Sequence, residues 1–332
     1  MMNKIKFGVI GCSAIADSSM IPALLMSKYV ELKIVGSRSL LKAESFAKKF
    51  SIKDFGSYDD VLASDVDAVY LSLPIGLHEE WTLKSAKAGK HILCEKSSTT
   101  SFSSAIKMVN CCKDNSVRLM EGLMFRFHPQ HSKAKQIIDN HQLGNISYFH
   151  GCYALPKISY NDIRHNKKLG GGILNDAACY PICASRIIFQ NEPLSVSCFS
   201  EFDKKSKVDV NTNIQLNFKS NQHASIVAGY DLFFQSTYFV LGSKGYIKLK
   251  RSYNIPKEED AKIELVSDNT LELVIPRTNH FVLMIDSFCL TILGKILPKF
   301  NFENDLINQA KILEAARISA NTNEIVFLSE IN

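Results

Sequence analysis

Apolar positions in the first 120 residues fall in short continuous runs, separated by stretches where apolar and polar residues recur at helical spacing. The runs KIKFGVI (4–10), ELKIVGS (31–37), DAVYLSLP (67–74), HILCEK (91–96) and VRLMEG (117–122) are strand candidates. Between them, LLKAESFAKKF (40–50), HEEWTLKSAKAG (78–89) and SFSSAIKMVNCCKDN (101–115) have the helical pattern, and Gly89 supplies a stop signal. Apolar strands alternating with helices predict a parallel, doubly wound α/β sheet.

After about residue 145 the period changes. Strand-like segments at 146–155, 195–202, 210–218, 224–233, 236–242, 245–251 and 271–276 follow one another with few helices between them. One helix is expected at about 173–189 and a last one at about 303–320. Strands segregated from an alternating half predict a C-terminal α+β domain built on a large, mostly antiparallel sheet. The change of pattern divides the chain into residues 1–122 and 123–332, in line with a length of 332 residues.

Composition narrows the function classes. With 46% hydrophobic and 22% charged residues the chain is neither disordered nor low in complexity. The net charge of +6 is scattered, without the basic stripe of a nucleic-acid binder. Its densest groups, Lys204, Lys205, Lys207 and Lys248, Lys250, Arg251, read as solvated faces beside strand ends. Slight basicity also attracts phosphorylated ligands. Nine cysteines, an odd number without a C-x-x-C, read as reduced thiols of a cytoplasmic protein. The apolar run before Cys12 is too short for a signal-peptide core. The run from Phe281 to Leu297 carries Asp286 and Lys295 and is too short to span a membrane. His128 and His131 mimic a metal spacing, but Pro129 intervenes and no Cys or carboxylate completes it, so no metal is expected.

The segment GVIGCSAIA (8–16) follows a strand and precedes a helix, the context of a dinucleotide fingerprint. Gly11 makes the tight turn, Ser13 stands where a second glycine is usual and adds a hydroxyl donor, and Ala16 takes the close-packing position. Main-chain amides of Gly11, Cys12, Ser13, Ala14 and Ile15 are the candidate phosphate donors. Glu31 begins its strand and faces the wrong end to hold a ribose. The carboxyl end of that strand reads Gly36-Ser37-Arg38, and a hydroxyl beside a guanidinium suits a 2′-phosphate, so NADP(H) is expected over NAD.

GVIGCSAIA, SLP with His78 four residues on, ILCEKS (92–97), MEGLMFRFHPQH (120–131) and DIRHNKKLGGGILNDAACYPI (162–182) occur in that order. This ordered set resembles the Gfo/Idh/MocA oxidoreductase family, within it the branch of sugar C-3 ketoreductases and NADP-dependent xylose and dihydrodiol dehydrogenases. The resemblance implies a Rossmann domain, an open-faced antiparallel sheet, homo-oligomers (dimer or tetramer), a sugar substrate and catalysis between the domains. It places Lys96 at the lysine of the family's Glu-Lys-Pro motif, with Ser97 in place of Pro. Asp176 and Tyr180 match an Asp-x-Gly-x-His/Tyr element, with Ala178 where Gly is common. At i and i+4 on a helix, a carboxylate and a phenol share one face. The glycines 170–172 would let that helix start close to a ligand. Pro74, His78 and Glu95 are expected at the nicotinamide ribose, Leu73 among the cofactor-binding residues, Arg164 near cofactor and substrate, and Arg126 and His128 toward the substrate.

The expected reaction is hydride transfer between NADP(H) and a sugar carbon, in the reducing direction on a keto-sugar, with Tyr180 as proton donor, Lys96 assisting and Asp176 orienting. Oxidation of a free aldose or diol is one alternative, and a non-catalytic dinucleotide-binding sensor on the same fold is another. Retention of both Lys96 and Tyr180 argues against the sensor.

Overall fold

The computed structural model describes residues 4–331. The chain gathers into two compact units, Met1–Met124 with Phe281–Ile307, and Phe125–His280 with Asn308–Asn332.

The first unit holds six parallel strands, β1 (Ile5–Ile10), β2 (Val30–Gly36), β3 (Asp54–Gly56), β4 (Ala68–Leu71), β5 (His91–Cys94) and β6 (Leu119–Glu121), in the order β3-β2-β1-β4-β5-β6. This is the doubly wound order whose topology reverses beside the first strand, where such sheets bind ligands. The connecting helices are α1 (Ile21–Met26), α2 (Leu40–Phe50), α3 (Tyr58–Ala63), α4 (His78–Lys87) and α5 (Phe102–Asp114). β4 is buried along its whole length and β1 at every position but Lys6, which is why these strands read as continuous apolar runs.

The single division expected at residue 122 differs from the observed partition, because Phe281–Ile307 returns to the first unit. The apolar run after residue 280 forms α8 (His280–Ile292), part of that return. Its Phe288 ring lies 6.4 Å from Phe7 of β1, and the Ser27 hydroxyl donates to Asp286 at 2.5 Å. Farther on, Arg118 grips Glu303 through two bonds of 2.8 and 3.0 Å, and the Leu119 amide adds a third of 3.1 Å. A bidentate pair of this kind is among the stronger polar contacts available to a protein. Among the described residues no helix is long and apolar enough to cross a membrane.

The second unit is built on nine strands: β7 (Ile146–Ala154), β8 (Ser195–Phe202), β9 (Asp209–Asn217), β10 (His223–Gly229), β11 (Gln235–Gly242), β12 (Tyr246–Leu249), β13 (Ala261–Val266), β14 (Thr270–Ile275) and β15 (Val326–Phe327). Their order is β14-β13-β12-β11-β7-β10-β9-β8-β15, antiparallel except where β10 runs parallel to β7. Along β7 the residues Phe149, Gly151 and Tyr153 are buried and alternate with half-buried His150 and Cys152, the signature of a sheet covered on one face. Helices α6 (Pro129–Asp139), α7 (Cys179–Phe189) and the later part of α9 (Phe302–Thr322) complete the unit. All nine cysteines are free thiols.

Candidate active site

In the first unit the cofactor end is shaped by main chain. Gly11 has φ of +110°, and a Cβ there would lie 2.3 Å from the Ser72 carbonyl oxygen, so only glycine lets β1 turn this close to the end of β4. The chain is helical from residue 14, and the first-turn amides of Ala14 and Ile15 have no helical carbonyl four residues before them. The Ser13 hydroxyl, expected to face a ligand, is turned back into the protein. It accepts from the Ala16 amide at 3.1 Å and pairs with the Ser72 hydroxyl at 2.5 Å, which caps the helix as Ser characteristically does. Cys12 is also buried, and burial pushes its thiol up.

At the end of β2, buried Ser37 donates its amide to the Gly56 carbonyl at 3.0 Å and accepts the Ser39 amide on its hydroxyl at 3.3 Å. Arg38 is exposed and acts on the phenol of Tyr58, whose pKa is raised by burial against the opposing pull of that guanidinium. Lys42 adds positive charge that is felt at Cys12. Glu31 is at the opposite end of the strand and pairs with Lys33. The residues at this strand end, Ser37, Arg38 and Ser39, include no carboxylate, and with Lys42 they fit a 2′-phosphate rather than a free ribose hydroxyl. Lys42 and Tyr58 are absent from the sequence-based set. Lys42 lies one helical turn after the Ser39 cap, a position that points back to the same strand end.

The loops after β4 and β5 are tied by His78. Its ring is fully buried, with Nε2 2.8 Å from the Leu73 carbonyl and Nδ1 3.1 Å from that of Ser97. Both nitrogens face protein carbonyls, and the side chain ties the Leu73–Pro74 turn to the segment after Lys96. The neutral ring donates to one carbonyl and the imidazolium to both; burial lowers its pKa while the carbonyls oppose that shift. Glu95 is likewise engaged inward, accepting from the buried Tyr70 hydroxyl at 2.6 Å and from the Lys96 amide at 3.3 Å. Burial raises its pKa, and these donors oppose the rise. The Lys96–Ser97 peptide is cis. Beyond it, the Ser98 amide donates to the buried Glu121 carboxylate at 2.7 Å. Lys96 thus leaves a short backbone segment that His78, Glu95 and Glu121 hold from within.

In the second unit Asp176 lies in a wide, π-helical turn, Leu174–Ala178, that runs into α7. Such turns insert where a helix must re-aim side chains. Its Oδ2 accepts from Arg164 Nε at 2.7 Å and from the Tyr230 hydroxyl at 3.2 Å. Arg164 also grips Asp162 at 3.1 Å, and these carboxylates hold its pKa above the usual arginine value. The glycine run before the turn serves the protein rather than a ligand. Gly172 has φ of +116°, and a Cβ there would lie 2.1 Å from Asp209 Oδ1, whose partner Oδ2 accepts the Leu174 amide at 2.6 Å.

Tyr180, in the first turn of α7, is 5% exposed, with its ring 5.2 Å from Tyr153, 5.8 Å from Phe125 and 5.9 Å from Tyr253. Gln309 of α9 holds this turn, donating to the Cys179 carbonyl at 2.8 Å and accepting from Arg186 at 2.9 Å. Arg126 is half-buried in the short turn Met124–Phe127. His128, expected toward the substrate, is fully buried instead; it caps α6 by accepting the Gln130 amide at 3.2 Å and lies edge-on to His280 at 5.9 Å. Proline suits the first helical position because it has no N–H to satisfy, and His128 before it takes the next free amide, that of Gln130. Among the described residues no group of three or more His, Cys, Asp or Glu is placed to hold a metal ion.

Residues 5–123 match the oxidoreductase family with an NAD-binding Rossmann fold, and residues 131–248 match the GFO/IDH/MocA C-terminal domain. The chain is 30% identical to dTDP-3,4-didehydro-2,6-dideoxy-alpha-D-glucose 3-reductase of Actinomadura kijaniata, over 96% of each protein. The chain belongs to the GFO/IDH/MocA oxidoreductase family.

This GFO/IDH/MocA protein has a six-stranded parallel sheet and a larger, mostly antiparallel one, and it is an oxidoreductase. It is 29% identical to D-xylose 1-dehydrogenase (NADP(+)) 2 of Haloferax volcanii, over 97% of this chain and 99% of that protein. Its structure is similar to that of KijD10, a 3-ketoreductase from Actinomadura kijaniata solved with NADP and TDP-benzene. The TM-score is 0.91 at 29% identity, over 96% of this chain and 98% of that one.

The structure brings Arg164, Tyr230 and Asp176 together, and Tyr230 was not among the sequence-based candidates. Its only sequence signal is its place at the end of a strand run, one residue past β10.

Proposed function

We propose that this oxidoreductase uses NADP(H) and acts on a nucleotide-linked keto-sugar, with Tyr180 as proton donor, Lys96 assisting and Asp176 orienting the sugar. Bound NADPH would supply the hydride, and the protein handles position and one proton. Ser37, Arg38 and Lys42 would hold the 2′-phosphate, and the amides of Ala14 and Ile15 the pyrophosphate. Tyr180 gives its proton to the oxygen of the reduced ketone. In the reverse direction a phenol with a pKa of about 10 is a weak base at neutral pH. The Lys96 ammonium assists by favouring both the phenolate and the alkoxide. Asp176, fixed by Arg164 and Tyr230, keeps the sugar hydroxyls in register. The nine free thiols fit a reducing, cytoplasmic setting, and the reading includes a homo-oligomer, dimer or tetramer.

One observation carries this reading. KijD10 has been solved with a lysine replaced by alanine or glutamate and with a tyrosine replaced by phenylalanine, and those two positions are as far apart in its sequence as Lys96 and Tyr180 are here. Identity to a xylose dehydrogenase, nearly equal to that for the 3-reductase, favours a second reading: oxidation of a free aldose at C1. NADPH consumption on dTDP-linked keto-sugars and NADP reduction on free aldoses, measured side by side, separate the two. In the productive assay Tyr180→Phe should lower kcat by about 10²–10⁴. Near-full turnover in Tyr180→Phe together with its abolition in Lys96→Met would assign the proton to the lysine.

A further inference from the structure

A second polar feature of the Phe125–His280 unit has no part in the chemistry described so far. An open cavity of about 400 Å³ lies on the loop that leads to Asp176, and its lining includes Tyr160, His165, Lys167, Lys168 and Ser206. Two stretches some forty residues apart in sequence build it. The Tyr160 hydroxyl donates to Asp203 at 2.9 Å, and His165 Nδ1 lies 3.4 Å from the Ser206 hydroxyl. The turn between β8 and β9, which carries Lys204, Lys205 and Lys207, is thereby fastened beside Lys167 and Lys168. Lys205 extends over the Tyr160 ring at 5.1 Å.

The charges here are unevenly matched. Asp162 is taken by Arg164. Asp203 accepts from Tyr160, from the Ser206 amide and hydroxyl and from the Lys205 amide, and these donors hold its pKa well below the usual carboxylate range. Neither Lys167 nor Lys168 has a carboxylate partner among the described residues. A concave wall with two ammonium groups that no carboxylate compensates, beside an imidazole, suits a multiply charged oxyanion. Its position fits a substrate that extends beyond its sugar. The His165 ring is 6.1 Å from that of Tyr230, whose hydroxyl bonds Asp176, so one side chain separates the cavity from the group assigned to the sugar.

We infer that this cavity is the subsite for the phosphate groups of the substrate, with Lys167 and Lys168 as the principal cations. The inference rests on the reading of Asp176 as the sugar-orienting group, but its test needs no turnover. The intact protein loaded with NADPH would be titrated calorimetrically with dTDP and, separately, with a sugar 1-phosphate, and the Lys167→Ala/Lys168→Ala variant treated in the same way. Both lysines are exposed on a loop, so unchanged thermal unfolding is expected. Affinity should fall about tenfold or more in the variant, and the salt dependence of binding should flatten. A loss for dTDP alone assigns a nucleoside diphosphate, and a loss for both probes assigns any phosphate ester; each supports the subsite. Unchanged affinity for both probes overturns it, even if the enzyme reduces keto-sugars. Conversely, a variant that loses dTDP binding while no sugar is turned over by either form leaves the subsite standing and removes the keto-sugar reading.

Discussion

The candidate groups of the two units are built from different materials. At the cofactor end of the first unit the decisive groups are main chain: a glycine turn, first-turn helix amides, and loops held by carbonyls on His78. In the second unit they are side chains: Arg164 and Tyr230 on Asp176, and an aromatic cluster around Tyr180. Main chain is available whatever the side chains are, so the first end tolerates Ser13 and Ser97 where its family has glycine and proline. Ser13 even finds its own partners, Ala16 and Ser72. A site made of packed and paired side chains has less slack, since its members orient one another.

Acid should expose the largest difference. Burial lowers the pKa of His128 to about 4 and those of His131 and His280 to about 3, all in the second unit. His131 is held as the neutral ring, donating from Nε2 to the Ser252 carbonyl at 2.9 Å and accepting the Tyr238 hydroxyl at Nδ1. A histidine with a lowered folded pKa costs nothing above its unfolded value of about 6.5, and stability is lost as pH falls below that toward the folded value. Each such ring contributes about 1.4 kcal/mol per pH unit in that window, so several kcal/mol are lost by about pH 5. Hydrogen exchange at pH 5 should show residues 125–280 opening before β1 and β4. Equal protection in both units would break the comparison.

Next in size is Gly172→Ala, which places a Cβ against Asp209 at a positive φ. Overpacking and backbone strain together should cost roughly 2–4 kcal/mol, read as a lower urea midpoint. Gly89→Ala is the control for a positive φ with open space around it, and it should cost less. The smallest effect is expected in the first unit, at the cationic end of β2. Arg38→Ala should weaken NADPH binding by about 10–100-fold and leave NADH binding unchanged, in fluorescence titrations of both. Equal weakening of the two would move Arg38 from the 2′-phosphate to a general role.

Much of the first unit was legible because local signals suffice there. Buried parallel strands announce themselves as apolar runs, and the Gly11 turn and the Ser37-Arg38 end lie at fixed offsets from them. The short elements were harder to see. β3 and α3 carry polar residues at their exposed ends, and α6 is hidden behind Pro129, whose cap His128 resembles a ligand until its burial is known. The partners of His78 and Glu95 were hidden for the same reason: residue type names a chemistry, and only packing shows which protein groups it meets.

From sequence alone came the two sheet types, the family resemblance, the preference for a cationic strand end, and the candidates Lys96, Asp176 and Tyr180. Those follow from short-range order, in which each residue's neighbours along the chain carry the information. Tertiary structure alone decided that Phe281–Ile307 rejoins the first unit, that Arg164 and Tyr230 secure Asp176, and that Ser206 joins Lys167 and Lys168 in lining one cavity. These depend on contacts between segments far apart in sequence, and no local pattern specifies which of many possible partners a charged or aromatic side chain will meet.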